Sequence, residues 1–388
     1  PLQGDQVSAD AIFDQPCRTG RAVGVVSGAA VWWDVMGMGS SQTTMVVDCA
    51  PFTGGAQRSL LTLLHGVASR GWSPVVLSAD RTPGGLLESC REAGWPVREL
   101  RTAHWQRSAA GMARYAWDRL AARGPILLAA RRWQPTLIHA NGIRAGLLVP
   151  RALRRQAPLV LHDRDLRVPA LALRLLAPRL AEVIAISQAV AAKWAAFPEV
   201  PLRVIPNGFD LAPMAATTPV SDPALAAAQL RVAMVADMVP WKRHGAFLEA
   251  LALASREQDG LVGVLVGRVR GHADAGYLQR LRVRAADLGV DGRVVFVTDA
   301  TSALPWLAAA DVVVSAAVEE PFGRTIVEAL ALGRPVVAVQ AAGPSEILAG
   351  CQAATLTGPT PADLAAGILQ WREPSRRAGA ARAARAWA

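Results

Sequence analysis

Two apolar patterns alternate along this chain. One is a short run of consecutive apolar residues, suited to a strand buried on both faces. The other repeats every three or four positions, as on one face of a helix. The runs predict strands near 45–49, 73–78, 97–100, 136–140, 158–162 and 182–186, then 230–236, 261–266, 293–297, 312–314 and 336–339. Helical spacing follows several of them. Leu60, Leu61, Leu64 and Val67 share one face of a helix over 57–69, and Phe247, Leu248 and Leu251 share one from Ala246 onward. A helix from Thr325 carries Ile326, Ala329, Leu330 and Leu332 on one face and is ended by Gly333 and Pro335. Two further helices are predicted over 361–371 and 374–387. Strands alternating with helices predict an α/β fold with parallel, doubly wound sheets, which bind ligands at the carboxyl ends of their strands.

The alternation pauses once. Pro206-Asn207-Gly208-Phe209-Asp210 reads as a turn, and 211–229, rich in Ala, Pro and Thr, reads as a connector. This predicts a first domain over 45–210 and a second over 230–388. Residues 1–44 follow neither pattern and are expected to be a disordered extension or to lie upstream of the natural start. Within them 22–33 is apolar behind Arg18 and Arg21, a weak likeness to a signal-peptide core, but Asp34 follows directly.

At 388 residues and 52% hydrophobic, the chain can fill two ordinary cores. The net charge is +10, and apart from Lys193 and Lys242 the positive residues are arginines, a usage consistent with a GC-rich genome. A basic balance permits nucleic acid, an anionic membrane or an anionic substrate as partner. No dense basic block, RNA-binding signature or zinc-finger spacing favours nucleic acid. Cys17, Cys49, Cys90 and Cys351 are scattered, fit neither a metal site nor a disulfide framework, and point to a reducing cytoplasm. No apolar run reaches the roughly 18 residues of a membrane span. Arg144, Arg151, Arg154 and Arg155 cluster around one helix; they suit either a solvated face or peripheral contact with anionic lipid at the inner face of the plasma membrane.

The candidate chemistry concentrates in 311–346. Glu320 precedes a predicted helix and Glu328 lies two turns inside it. The intervening helix start exposes the N–H groups of Gly323, Arg324 and Thr325, which favour an anion such as phosphate. An acid beyond that point can hold ribose hydroxyls, and an acid before it a sugar hydroxyl; a solvated acidic loop is the plainer alternative. Gly54-Gly55 makes a tight turn after the first strand, where backbone N–H groups can approach a ligand. His162 ends a strand ahead of Asp163-Arg164-Asp165, and His139 and Asn141 end the strand before it.

Glu320, Pro321-Phe322-Gly323, Glu328, the strand after Gly333-Arg334-Pro335, and Gly343-Pro344 with Glu346 together resemble the E-x7-E region of family 4 retaining glycosyltransferases. The resemblance extends over 45–388. It implies the GT-B fold, two Rossmann-like domains with parallel sheets facing a central cleft. It implies a UDP- or GDP-sugar donor held mainly by the second domain and a glycan, lipid-linked or small-molecule acceptor held mainly by the first. Glu320, His162 and Lys242 take catalytic places by that likeness. Glu328, Arg243, Phe322, Gly323, Arg324, Thr325, Gly54 and Gly55 take donor-binding places. Gln57, where many relatives have glutamate, takes an acceptor-side place with His139 and Asn141. No metal and no cofactor are expected, and Asp163-Arg164-Asp165 is a poor metal motif because an arginine separates the acids. Ala236-Asp237 departs from the Gly-Arg usual in the family; an aspartate there would repel diphosphate unless it points away and Arg243 supplies the charge. The chain ends about where the last helix of this fold crosses back to the first domain, so that helix is expected to be truncated. Two other readings remain: another GT-B enzyme such as a sugar epimerase, and a degenerate protein that binds nucleotide or membrane without catalysis.

Overall fold

The computed structural model describes residues 42–102, 109–269 and 272–388. Most of the expected N-terminal extension lies outside them. The first strand starts three residues earlier than its apolar core, because Gln42, Thr43 and Thr44 pair with the neighbouring strand at Trp72, Ser73 and Pro74.

The first domain holds β1 (Gln42–Val47), β2 (Trp72–Ser78), β3 (Val97–Glu99), β4 (Leu137–Asn141), β5 (Leu159–Asp163), β6 (Glu182–Ala185) and β7 (Leu202–Val204). They form one parallel sheet in the order β3-β2-β1-β4-β5-β6-β7. The second domain holds β8 (Leu230–Val235), β9 (Leu261–Val266), β10 (Val294–Val297), β11 (Val312–Ser315), β12 (Val336–Val339) and β13 (Ala354–Thr357). Its parallel order is β10-β9-β8-β11-β12-β13. Both sheets reverse direction of growth once, beside β1 and beside β8. Chains leave the sheet on opposite sides there, which opens a crevice at the strand ends. The central strands β4, β5, β6 and β12 are buried along their whole length, which is why they appear in the sequence as apolar runs rather than alternations.

Four helices matter below: α1 (Gly55–Ala68), α2 (His244–Ala254), α3 (Arg324–Ala331) and α4 (Pro374–Trp387). The expected connector is more ordered than its composition suggests. Residues 212–215 and 223–226 are short helices, and Met214 and Leu225 are buried in the second domain's core. α4 returns along the second domain: Ala384 is buried, and Ala388 packs on a cluster shared by Ala185, Ile186 and Val190 of the first domain and Phe322 and Val327 of the second. β7 and β13 are too short and too exposed to stand out as apolar runs.

Candidate active site

The carboxyl ends of the two sheets face one another across a cavity of about 410 Å³ lined from both domains. On the second domain's side, the chain leaves β11 and turns through Glu320 to Gly323. Gly323 has φ of +102°, a left-handed conformation, and a Cβ there would lie 2.8 Å from Ile326 Cδ1. Only glycine meets both conditions, so the loop can turn directly into α3. Thr325 Oγ1 donates to the Val235 carbonyl at 3.2 Å and ties the start of α3 to β8. Gly323, Arg324 and Thr325 all line the cavity, with Glu320 before them and Glu328 beyond.

Lys242, in a short turn over 240–242, reaches across to Glu320 and forms a direct ion pair with it. Its ammonium also lies 4.0 Å from the centre of the Trp241 ring. Glu328 is held by Arg324 at 3.3 Å, one helical turn away. Arg324 in turn donates to Ser59 Oγ of the first domain at 2.6 Å and lies over the Phe209 ring at 4.4 Å. Burial holds the Arg324 pKa below the usual guanidinium value.

Arg243 lies elsewhere. It adopts a left-handed backbone with φ of +63° as the residue before α2, and its guanidinium donates to the Ala316 carbonyl at 3.0 Å and the Pro359 carbonyl at 2.7 Å. It does not line the cavity, because two loop carbonyls hold it beside the strand ends. Asp237 does line it, but with a counter-charge: Arg268, one residue past Gly267 at the end of β9, sits 3.4 Å from its carboxylate. The repulsion expected from an aspartate at this place is therefore offset locally.

On the first domain's side the polar residues form one buried network centred on Asp48. Its carboxylate accepts from Gln57 Nε2, Asn141 Nδ2 and Ser78 Oγ, each at 2.9 Å. Burial pushes the Asp48 pKa up, against the opposing pull of these donors. Gln57 Oε1 accepts from the Gly54 N–H at 3.0 Å. Gln57 and Asn141, expected at the acceptor, are instead buried and occupied by Asp48. They shape the site by holding the Gly54-Gly55 turn and the end of β4.

Arg164 extends this network to the cavity. Nε donates to Asn141 Oδ1 at 2.8 Å, Nη1 to Asn207 Oδ1 at 2.6 Å, and Nη2 approaches His162 Nδ1 at 3.3 Å. Burial, with Arg324 nearby, lowers the Arg164 pKa to about 9. His162 and His139 stand with ring centres 5.5 Å apart, both buried and both behind the cavity wall. Burial lowers both, His139 to about 3, so both rings are neutral. A guanidinium can only donate, so His162 carries its proton on Nε2, which has no partner among the described residues. Asp163 is buried against the Lys193 ammonium at 2.6 Å and the Trp194 indole N–H at 2.7 Å, while Asp165 lines the cavity. The two acids of that motif therefore diverge. Among the described residues no three His, Cys, Asp or Glu side chains converge as metal ligands.

Residues 53–213 match the family described as Glycosyltransferase Family 4, and residues 229–373 match Glycosyl transferases group 1. Between them these matches take in nearly all of both domains. The chain is a glycosyltransferase of the GT-B fold. It is similar to Anabaena HepE solved with UDP-glucose, at 25% identity over 89% of this chain and 93% of that one, with a TM-score of 0.70. Sucrose-phosphate synthase from Thermosynechococcus elongatus shares the fold at 20% identity and a TM-score of 0.72, over 89% of this chain and 94% of that one. A lipopolysaccharide core biosynthesis glycosyltransferase, LpsE of Rhizobium meliloti (strain 1021), is 47% identical over 60 residues. That stretch is 16% of this chain and 18% of LpsE.

The glycosyltransferase fastens its Glu320 loop to the opposite domain. Both Glu346 oxygens accept from backbone N–H groups of the first domain, Gln188 and Ala189, each at 2.7 Å. Ser187 Oγ donates to the Pro321 carbonyl at 2.7 Å, and Phe322 stacks on Phe209 with ring centres 6.2 Å apart. Asp48, Ser59, Arg164, Asn207 and Arg268 are site residues that the sequence did not single out. Asp48 falls at the end of a predicted strand and Arg268 just past one, the one signal that marked them. Arg151, Arg154 and Arg155 are exposed away from the cavity. Among the described residues no helix is long and apolar enough to cross a membrane.

Proposed function

We propose that this glycosyltransferase is a retaining enzyme that moves a hexose-type sugar from a UDP- or GDP-sugar to a glycan, lipid-linked or small-molecule acceptor. The observation that carries the reading is the grouping of Glu320, Lys242 and the start of α3 at the strand ends of the second domain, with Glu328 two turns further on. As the glycosidic bond to the donor breaks, negative charge grows on the departing diphosphate. Lys242 and the N–H groups at the start of α3 would stabilise it. Glu328 would hold the ribose, and Glu320 a hydroxyl of the donor sugar. The neutral His162, behind the first-domain wall, would act on the sugar only through Arg164, whose guanidinium it meets at Nδ1.

The UDP-glucose in HepE favours UDP among the candidate nucleotides, and the LpsE likeness favours an acceptor in cell-surface glycan synthesis. Retention rests on the E-x7-E resemblance. The reading assigns no metal to the chemistry, because cationic side chains and helix N–H groups can balance the diphosphate. It places the protein in the cytoplasm, at the inner face of the membrane where a lipid-linked acceptor would present itself.

The test is a thermal-shift series with UDP, GDP, ADP and their sugars, with and without EDTA. A ligand that binds only the native state raises its melting temperature. The expected result is a clear shift with one nucleotide that EDTA leaves intact. No shift with any of them would overturn the reading in favour of a degenerate binder.

A further inference from the structure

Among the described residues five cationic side chains line the cavity, and they divide by domain. The three of the second domain are each matched by an acid of the same domain: Lys242 by Glu320, Arg268 by Asp237, Arg324 by Glu328. The two of the first domain, Arg58 and Arg164, are not. Among the described residues neither forms an ion pair, and Arg164 is 9% exposed while held by Asn141, Asn207 and His162, all neutral. Asp48, Asp165 and Asp163 balance the Arg164 charge only from a distance, and a direct partner for a buried guanidinium is left for a bound anion to supply.

The remaining chemistry of Arg164 suits such an anion. A guanidinium has five N–H donors and three are engaged, which leaves one on each terminal nitrogen for a planar, two-point grip on a carboxylate or phosphate. Asn141 and Asn207 fix the guanidinium plane, so this grip is already oriented. Arg58, on the first turn of α1, adds a second charge on the same wall. Among the described residues Asp165 is the one first-domain acid in the lining, and it lies one residue past Arg164 without bonding to it.

We propose that Arg164 and Arg58 form an anion subsite on the first-domain wall, and that the acceptor carries a phosphate or carboxylate that seats on it. The proposal rests on the glycosyl-transfer reading above and deepens it by naming the acceptor class. The donor is the other source of phosphate in the cavity. Its anchors lie on the second domain, which has its own cations, and Arg164 is bound to the ends of β4 and the 206–210 turn and cannot follow them.

The experiment measures binding of glucose, glucose 6-phosphate and glucuronate by calorimetry to the protein saturated with UDP, so that the donor's phosphate places are filled. The expected result is that both anionic sugars bind at least about tenfold more tightly than glucose. Arg164→Gln abolishes the preference and Arg58→Gln reduces it severalfold, while UDP affinity in both variants stays within about twofold of wild type. Arg58 is exposed, so its variant keeps the test valid even if Arg164→Gln fails to fold. Equal binding of glucose and the anionic sugars would overturn the proposal. So would a tenfold loss of UDP affinity in Arg58→Gln, which would assign these cations to the donor. Failure of UDP and GDP to bind at all, with the anionic preference still present and still lost in Arg58→Gln, would overturn the donor reading and leave the subsite standing.

Discussion

The ammonium of Lys242 is bonded directly to the carboxylate of Glu320, although the two lie 78 residues apart on different loops. Each is mostly buried, with side-chain exposures of 19% and 12%. An incoming diphosphate must therefore compete with Glu320 for the ammonium. Lys242→Met is expected to weaken UDP binding by about tenfold or more, since it removes a charge-assisted contact. Glu320→Gln is expected to leave UDP binding equal or tighter, because the ammonium is released, while sugar transfer falls by about a hundredfold or more. Calorimetry on both variants checks this. Weaker UDP binding in Glu320→Gln would show that the pair does not compete with the nucleotide.

Glu328 is expected to act on the nucleoside rather than the phosphates. Glu328→Ala removes a carboxylate that can accept from ribose hydroxyls, and a hydrogen bond to a charged group contributes about 1.5–3 kcal/mol. UDP affinity should fall by about tenfold or more, while inorganic pyrophosphate, which has no ribose, should bind as in wild type. An equal loss for both ligands would mean that Glu328 acts only by holding Arg324.

Gly343 is a steric key to the Glu320 loop. A Cβ at this position would lie 2.6 Å from both Phe322 Cα and the Pro321 carbonyl oxygen, and the Gly343 N–H donates to the Glu320 carbonyl at 3.1 Å. Backbone cannot yield as a flexible side chain can. Gly343→Ala is expected to cost about 1–3 kcal/mol of stability and to reduce transfer through displacement of Glu320. A urea melt and a rate measurement decide it; wild-type values in both would contradict this packing.

His244 offers a test by pH. It is fully buried at the start of α2, and burial lowers its pKa to about 4. The unfolded imidazole titrates near 6.5, so the unfolded state binds more protons at mildly acid pH. The neutral ring is therefore tolerated in full above about pH 6.5, and stability is lost as pH falls towards the folded value. Between pH 7 and 5 this group removes about 2 kcal/mol. His244→Asn should lose less stability over that interval than wild type, whatever its stability at pH 7. Parallel pH curves for the two proteins would refute the assignment.

Much of this protein is legible in its sequence. The strands β4, β5, β6, β8, β9, β11 and β12 read as apolar runs because helices pack on both faces of each sheet. Gly323 and the helix after it are legible because a left-handed turn and an exposed helix start have few sequence solutions. Glu320 and Glu328 stand out as acids on either side of that helix start, whereas Lys242 stands out only through its likeness to the family's phosphate-binding segment. The two short helices within the 211–229 connector are not legible, because its composition does not reveal that Met214 and Leu225 find a core to enter.

What sequence alone determined is local: the order of strands and helices, the turns between them, and which loops end at the ligand side. Tertiary structure decided which charges meet. Arg243 and Lys242 are neighbours in the chain, yet one is held by two carbonyls outside the cavity and the other faces an acid within it. Asp237 is offset by Arg268 from the adjacent strand. Gln57 and Asn141 turn inward because Asp48, buried between their loops, must be supplied with donors. Hydrogen bonds and ion pairs act over a few ångströms, and only folding brings residues so far apart in sequence within that range.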